Sequence, residues 1–219
     1  MRLSLGNFID DLLGELQSDT ITTIFGPPGC GKSTLCFQYA ISCLEQGKKV
    51  IFIDTEGGFS VERLKQMSPQ ISLEDIIVLR PKTFEDQQKT IANLNQQIKS
   101  SRHIGLLIID SLVMLYRLKL GDSPQKVNTE LGEQLRLLTE ISRTFNIPVL
   151  VTNQMYQDFD TGEKKMVGGT LPAYWSKTIL ELDRQGDLKK AVLKKHKFKK
   201  EGASACFEIR RCGLTTAGD

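Results

Sequence analysis

The chain has 219 residues, of which 40% are hydrophobic and 25% charged, with a formal net charge of +3. These values exclude a disordered polyelectrolyte and suit one α/β domain, residues 1–219, with a sizeable core. No apolar run approaches the ~20 residues of a membrane span, and Asp10 and Asp11 interrupt the start too early for a secretory signal, so a cytoplasmic protein is expected.

Residues 1–19 read as a lead-in. A β-branched run at 20–25 predicts a strand that stops at Gly26-Pro27-Pro28-Gly29, and a helix is expected over 32–45, closed by Gly47. Further strands are expected at 50–53 and 76–79, with helices over 61–67 and 85–99, the latter carrying Ile91, Leu94 and Ile98 at helical spacing. A continuous apolar strand at 104–109 ends at Asp110. A helix over 129–145 places Leu131, Leu135, Leu138 and Ile141 on one side, and a strand at 148–152 follows.

From residue 178 the pattern becomes a strand meander, 178–182, 188–198 and 205–211, with turns at Gly186 and Gly202; residues 215–219 are expected to fray. Alternating elements imply a mostly parallel sheet covered by helices on both faces, with antiparallel strands added at the C-terminal end.

Gly26-Pro27-Pro28-Gly29-Cys30-Gly31-Lys32-Ser33 matches G-x-x-x-x-G-K-[ST] between a predicted strand and a predicted helix, the context that identifies a phosphate loop. Glycines let the amides turn inward around phosphate oxygens, and the helix N-terminus adds the positive end of its dipole. Lys32 is expected on the β and γ phosphates, Ser33 on magnesium and Thr34 on the α-phosphate of ATP. The strand ending in Asp110 is the Walker B arrangement, with Asp110 reaching magnesium through water.

Glu56, just after the second strand, is placed to orient and deprotonate an attacking water. The Gln154 amide, at another strand end, is placed to sense the terminal phosphate. These polar strand ends share the sheet edge at which open α/β sheets bind ligands. A lone strand-end carboxylate is an ordinary turn residue; four such positions on one edge argue for one site.

The five cysteines, Cys30, Cys36, Cys43, Cys206 and Cys212, have no C-x-x-C spacing, so reduced thiols are expected. Amide dipoles around Cys30 would lower its pKa and open a redox role. Lys189, Lys190, Lys194, Lys195, Lys197, Lys199 and Lys200 crowd one stretch with His196, either to attract a polyanion or as a solvated strand face. His103 reads as an ordinary surface histidine.

The segments Phe52-Ile53-Asp54-Thr55-Glu56-Gly57, Val61-Glu62-Arg63-Leu64, Ile108-Ile109-Asp110-Ser111 and Val151-Thr152-Asn153-Gln154 resemble the core of the RecA/RadA recombinases over nearly the whole chain. The phosphate loop begins at Gly26, leaving no helix-hairpin-helix domain before it; its Pro-Pro-Gly-Cys interior replaces the Gly-Glu-Phe usual in RadA, and no N-terminal Phe-x-x-Ala linker appears. The resemblance therefore points to a short archaeal paralogue of RadA, acting in DNA repair and recombination with weak ATPase activity. Phe37-Gln38-Tyr39-Ala40 fits the linker letters but is expected in the core.

The resemblance implies a catalytic role for Glu56 beside Lys32 and Gln154, and adenine stacking by Arg63. Gln154 would couple the γ-phosphate to a second DNA loop, 155–167, holding Tyr156, Phe159, Lys164 and Lys165. A first DNA loop would follow Tyr116-Arg117 and extend to about Val127. Arg117, Tyr156, Lys164, Lys165, Lys195 and Lys197 are the DNA-contact candidates. Single-stranded DNA, a RadA-type recombinase, other repair proteins and further copies of the chain are the implied partners.

Plain surface connections are the competing reading of both loops. The Gly-Pro-Pro-Gly loop suits KaiC-type ATPases equally, so a nucleotide-regulated interaction module without a DNA role stays open. A small-molecule kinase would need an arginine-rich lid, and no such segment is evident.

Overall fold

The computed structural model describes residues 2–121, 123–157, 162 and 164–218. The chain opens with β1 (Arg2–Leu3), α1 (Phe8–Leu13) and β2 (Leu16–Gln17), then runs β3 (Ile21–Phe25), α2 (Lys32–Glu45), β4 (Lys49–Asp54), α3 (Val61–Met67), β5 (Ile76–Leu79) and α4 (Phe84–Ser100). It continues through β6 (Ile104–Asp110), α5 (Met114–Lys119), α6 (Pro124–Phe145), β7 (Val149–Asn153), β8 (Met155–Gln157), β9 (Lys164–Met166) and α7 (Thr170–Trp175). The meander β10 (Thr178–Gln185), β11 (Leu188–Lys195), β12 (Ser204–Arg210) and β13 (Gly213–Thr216) ends the described fold.

The nine-stranded sheet has the order β13-β12-β11-β10-β3-β7-β6-β4-β5. From β10 to β5 every neighbouring pair is parallel, while β10-β11, β11-β12 and β12-β13 are antiparallel. This is the expected α/β class, and its reason is visible in burial. Strands β3, β6 and β7 are buried along their full length, as strands covered on both faces must be.

The expected bounds of α2, α3 and β5 are found unchanged. Helix α6 begins earlier than expected, at Pro124. Proline suits the first helical turn because its missing N–H has no partner there, and buried Val127 extends the apolar stripe by one turn. At the other end Asn146 adopts the left-handed conformation, φ +52°, and returns its N–H to Ser142.

Residues 1–19 are more than a lead-in. Leu3, Phe8, Ile9, Leu12, Leu13 and Leu16 are buried, and the Phe8 ring stacks on Phe207 of β12 at 5.5 Å. Asn7 caps α1 by accepting the Ile9 N–H at 3.0 Å, and Lys199 closes the other end by donating to the Asp10 and Asp11 carbonyls.

The fraying expected from residue 215 is corrected as well. Thr215 and Thr216 pair with Glu208 and Phe207 in β13. Buried Leu214 is held by Gln38, which accepts its N–H at 3.0 Å and donates to its carbonyl at 3.3 Å. Phe37, Tyr39 and Ala40 of the same helix are core residues, as expected. His103 is exposed, with φ +72°.

Candidate nucleotide site and its neighbouring hairpin

Register brings the polar strand ends together. Asp54 pairs with Asp110 across β4 and β6, and Phe25 pairs with Asn153 across β3 and β7. The residues that follow these positions, Gly26, Glu56 and Gln154, therefore leave the sheet at one edge.

The loop from Gly26 to Ser33 is tightly wound. An added Cβ at Gly26 would lie 1.9 Å from the Leu182 carbonyl oxygen, so only glycine lets β3 pass β10 at this point. Gly31 has φ +104° and lies against Ile209. Lys32 Nζ donates to the carbonyls of Gly26 and Pro27, both at 3.0 Å, closing the loop on itself. A cleft of about 260 Å³ is lined by Pro28, Gly29, Gly31, Lys32, Ser33, Thr34, Glu56, Asp110 and Ile209. A roomier hollow of about 550 Å³ lies between α1 and the β11–β12 turn, but it carries none of these residues.

Asp110 is buried at the end of β6, where Thr152 Oγ1 donates to its Oδ1 at 2.5 Å and Ser33 also bonds its carboxylate. Burial raises its pKa above the ordinary carboxylate value, against the lowering effects of those hydroxyls and of Lys32. A buried carboxylate beside a serine hydroxyl is an all-oxygen donor set that suits a hard cation shared with phosphates. Ser33 and Asp110 are thus the residues fit to hold magnesium.

Cys30 corrects the expectation of an activated thiol. It is fully buried, and burial pushes its pKa up despite the nearby Lys32 charge and loop amides. All five cysteines are free; Cys36 and Cys43 are also buried, with raised pKa values dominated by burial.

Asp54 shapes the loop that carries Glu56: its carboxylate accepts the N–H groups of Gly58 and Phe59 at 3.0 and 3.2 Å. Glu56 stands exposed at the cleft, and its Oε1 accepts from Ser111 Oγ at 2.6 Å and from Gln154 Nε2 at 2.8 Å. Arg117 Nη1 in turn donates to Gln154 Oε1 at 2.6 Å. The peptide between Asp110 and Ser111 is cis. Arg63, capped into α3 by Ser60, reaches the β12–β13 turn and donates to the Arg210 and Arg211 carbonyls at 2.7 and 3.2 Å. Ile209 of β12 lies against the phosphate loop at Gly31.

The two expected DNA loops take a different form. The first is confined between Lys119 and Pro124, because Arg117 belongs to α5 and Val127 to α6. The second is built as a hairpin of β8 and β9, with Tyr156 opposite Lys165 and exposed to 46%. Lys164 is bound to Asp183 of β10. Burial favours a raised Asp183 pKa, but Lys164 and the Arg184 amide outweigh it and hold the value down. Phe159 lies outside the described residues.

In the basic stretch, Lys195 donates to the Ala173 carbonyl at 2.8 Å, Lys194 pairs with Glu181 at 3.4 Å, and Lys197 lies over the Phe198 ring at 5.0 Å. Neither Lys195 nor Lys197 joins the cleft beside Lys32. Their local bonds favour the strand-face reading of this stretch over a single anion-binding cluster.

Sequence reasoning missed Thr152, the bond from Ser111 to Glu56, and Arg184, whose Nη2 donates to the Pro28 carbonyl at 3.2 Å. Ser111 was within reach, since it follows Asp110 directly. Arg184 comes from the distant β10 and leaves no local signal.

A family model described as Rad51 matches residues 2–216. The chain is 41% identical to the DNA repair and recombination protein RadB of Methanobrevibacter smithii, over 94% of this chain and 92% of that protein. It is 39% identical to the protein of the same name from Methanococcus maripaludis strain C5, over 94% and 96%. A solved structure titled as that of the RadB recombinase superposes with a TM-score of 0.82 at 34% identity, covering 98% of this chain and 99% of that one.

Proposed function

The chain belongs to the Rad51 family, and on that premise we propose that it is an ATP-binding and DNA-binding paralogue that assists homologous recombination and DNA repair. The observation that carries this reading is a convergence. Lys32, Ser33, Asp110 and Glu56 line one cleft, and Gln154, bonded to Glu56, leads directly into the exposed β8–β9 hairpin. The relatives named for DNA repair and recombination share nearly the full length of the chain.

In this reading the backbone N–H groups of residues 29–33 and the Lys32 ammonium bind the phosphates, Thr34 lies by the α-phosphate, and Arg63 packs on the base. Ser33 and Asp110 would hold magnesium, which when bound would neutralise phosphate charge. Glu56 orients and deprotonates the attacking water. Single-stranded DNA is gripped by Tyr156, Lys164, Lys165 and Arg117. Turnover is slow, because Glu56 Oε1 already accepts two bonds. A RadA-type recombinase and further copies of this chain are the proposed protein partners.

Lys32→Ala should abolish ATP binding by isothermal titration while far-ultraviolet circular dichroism stays unchanged; normal nucleotide affinity in that variant would refute the site. Glu56→Gln should keep binding and lose hydrolysis. A second reading, the nucleotide-regulated interaction module without a DNA role, draws support from the internal bonds of Lys164 and Lys195. It shares the ATP site but predicts no binding of oligo(dT). The first reading predicts affinity that falls steeply with salt.

A further inference from the structure

The cation of the phosphate loop is fully engaged within the loop itself. Lys32 Nζ donates to the Gly26 and Pro27 carbonyls, both at 3.0 Å, and faces Cys30 Sγ at 3.9 Å. An ammonium has three N–H groups, so these three contacts use them all. A phosphate group entering the loop therefore draws Lys32 off at least one of them. The tip of the loop loses a bond at the moment it must be held.

The tip has no donor of its own to replace that bond. Pro27 and Pro28 carry no N–H, and their rings fix φ, so the pair moves as one stiff body. Its anchor comes from outside: Arg184 of β10 donates from Nη2 to the Pro28 carbonyl at 3.2 Å. Gly29, with φ +73°, leaves room for the guanidinium, because a Cβ there would come within 3.2 Å of the same Nη2. Arg184 is not among the residues that line the cleft, so phosphate bound inside does not compete for this bond.

The neighbouring strand explains the direction of the arginine. Lys189 of β11 stands directly opposite Arg184, on the same face of the sheet, and the next residue of that row is the buried Phe207 of β12. Two cations thus face each other with no carboxylate in the row, and like charges so placed repel. The Pro28 carbonyl is the acceptor that takes Arg184 away from Lys189.

We propose that Arg184 is a positioning residue for nucleotide: from outside the cleft it holds the Pro27-Pro28 tip of the phosphate loop while Lys32 moves onto phosphate, and Lys189 directs it there. The inference rests on the ATP-binding reading given above. It adds to that reading a strut from β10 that keeps its grip when nucleotide enters.

The affinity of the full-length protein for ATP with magnesium, measured by isothermal titration calorimetry, tests this. Arg184→Ala should weaken it roughly five-fold or more. The melting temperature of the nucleotide-free variant should stay within about 2 °C of the unmodified protein, as for an exposed side chain. Arg184→Lys, which keeps a donor, should recover part of the loss. Lys189→Glu should also weaken ATP binding, because a carboxylate directly opposite pairs with Arg184 and draws it off Pro28. In the Arg184→Ala background the same change should add less than about two-fold, since nothing is left to draw off. Comparing the two backgrounds cancels the plain repulsion between the new carboxylate and the anionic ligand.

Unchanged ATP affinity in Arg184→Ala overturns the proposal, and so does a Lys189→Glu effect of equal size in both backgrounds. A fall in affinity that comes with a lower melting temperature, and that Arg184→Lys does not relieve, overturns it as well, because Arg184 would then serve the fold alone. If the unmodified protein binds no ATP at all, the ATP-binding reading fails first and the proposal falls with it; failure confined to the variants removes the proposal alone.

Discussion

Asp110 combines burial with a negative charge, and that combination costs stability. Its folded pKa is raised, so in the window above the ordinary carboxylate value the folded protein binds more protons than the unfolded chain. The contribution of this group to stability therefore falls as pH rises through that window. Asp110→Asn should raise the melting temperature of the nucleotide-free protein by a few degrees at neutral pH. The gain should shrink toward acid, where the native carboxyl is itself protonated, and the magnesium-dependent part of nucleotide affinity should be lost. A lower melting temperature at neutral pH, equally low in acid, would show that the carboxylate is held for structure instead.

The same scale explains what single residues did and did not reveal. That Lys32, Ser33, Glu56 and Asp110 share one cleft was legible because each carries a local signal: a loop spacing or the polar end of an apolar run. Cys30 was misread because its environment is not local. The amides that would activate it belong to its own loop, but the burial that raises its pKa comes from the surrounding core.

At the scale of elements, the paired strands β8 and β9 are where the proposed nucleotide chemistry and the proposed DNA contact would meet. The first strand starts one residue after Gln154, and the second starts at Lys164, tied to Asp183 of β10. Tyr156 offers an exposed ring on this hairpin. Tyr156→Ala should weaken binding of single-stranded DNA by about 1–3 kcal/mol, the usual loss for one stacked base, and leave ATP affinity unchanged. Fluorescence anisotropy with labelled oligo(dT) measures both arms. An unchanged DNA affinity would remove the ring from the interface.

Long buried elements were readable because their periodicity extends over many residues. Helix α2 and the apolar strands of the sheet fall in that group. The short elements were not. Helices α1, α5 and α7 have six residues each and strands β8 and β9 three each, too few to show a period. Their folding is decided by tertiary contacts, such as Phe8 on Phe207 or the Ser176 hydroxyl against Thr23 Oγ1 of β3.

Across the whole molecule, a parallel sheet gathers strand ends separated by more than a hundred residues onto one edge. The Arg63 contacts to residues 210 and 211 span 147 and 148 positions, and the Arg184 contact to Pro28 spans 156. No local pattern announces such pairs; they follow from the order of strands in the sheet. The antiparallel strands beyond β10 extend this edge, placing Ile209 and the Arg210–Arg211 turn beside the phosphate loop.

In the proposed function, nucleotide bound in this cleft controls the grip on single-stranded DNA. That control is tested most directly by titrating oligo(dT) into the protein, with and without ATP and magnesium, across a series of salt concentrations. ATP with magnesium should tighten DNA binding at every salt concentration, and affinity should fall steeply as salt rises. DNA affinity that is absent, or that is the same with and without nucleotide, would contradict the proposed function.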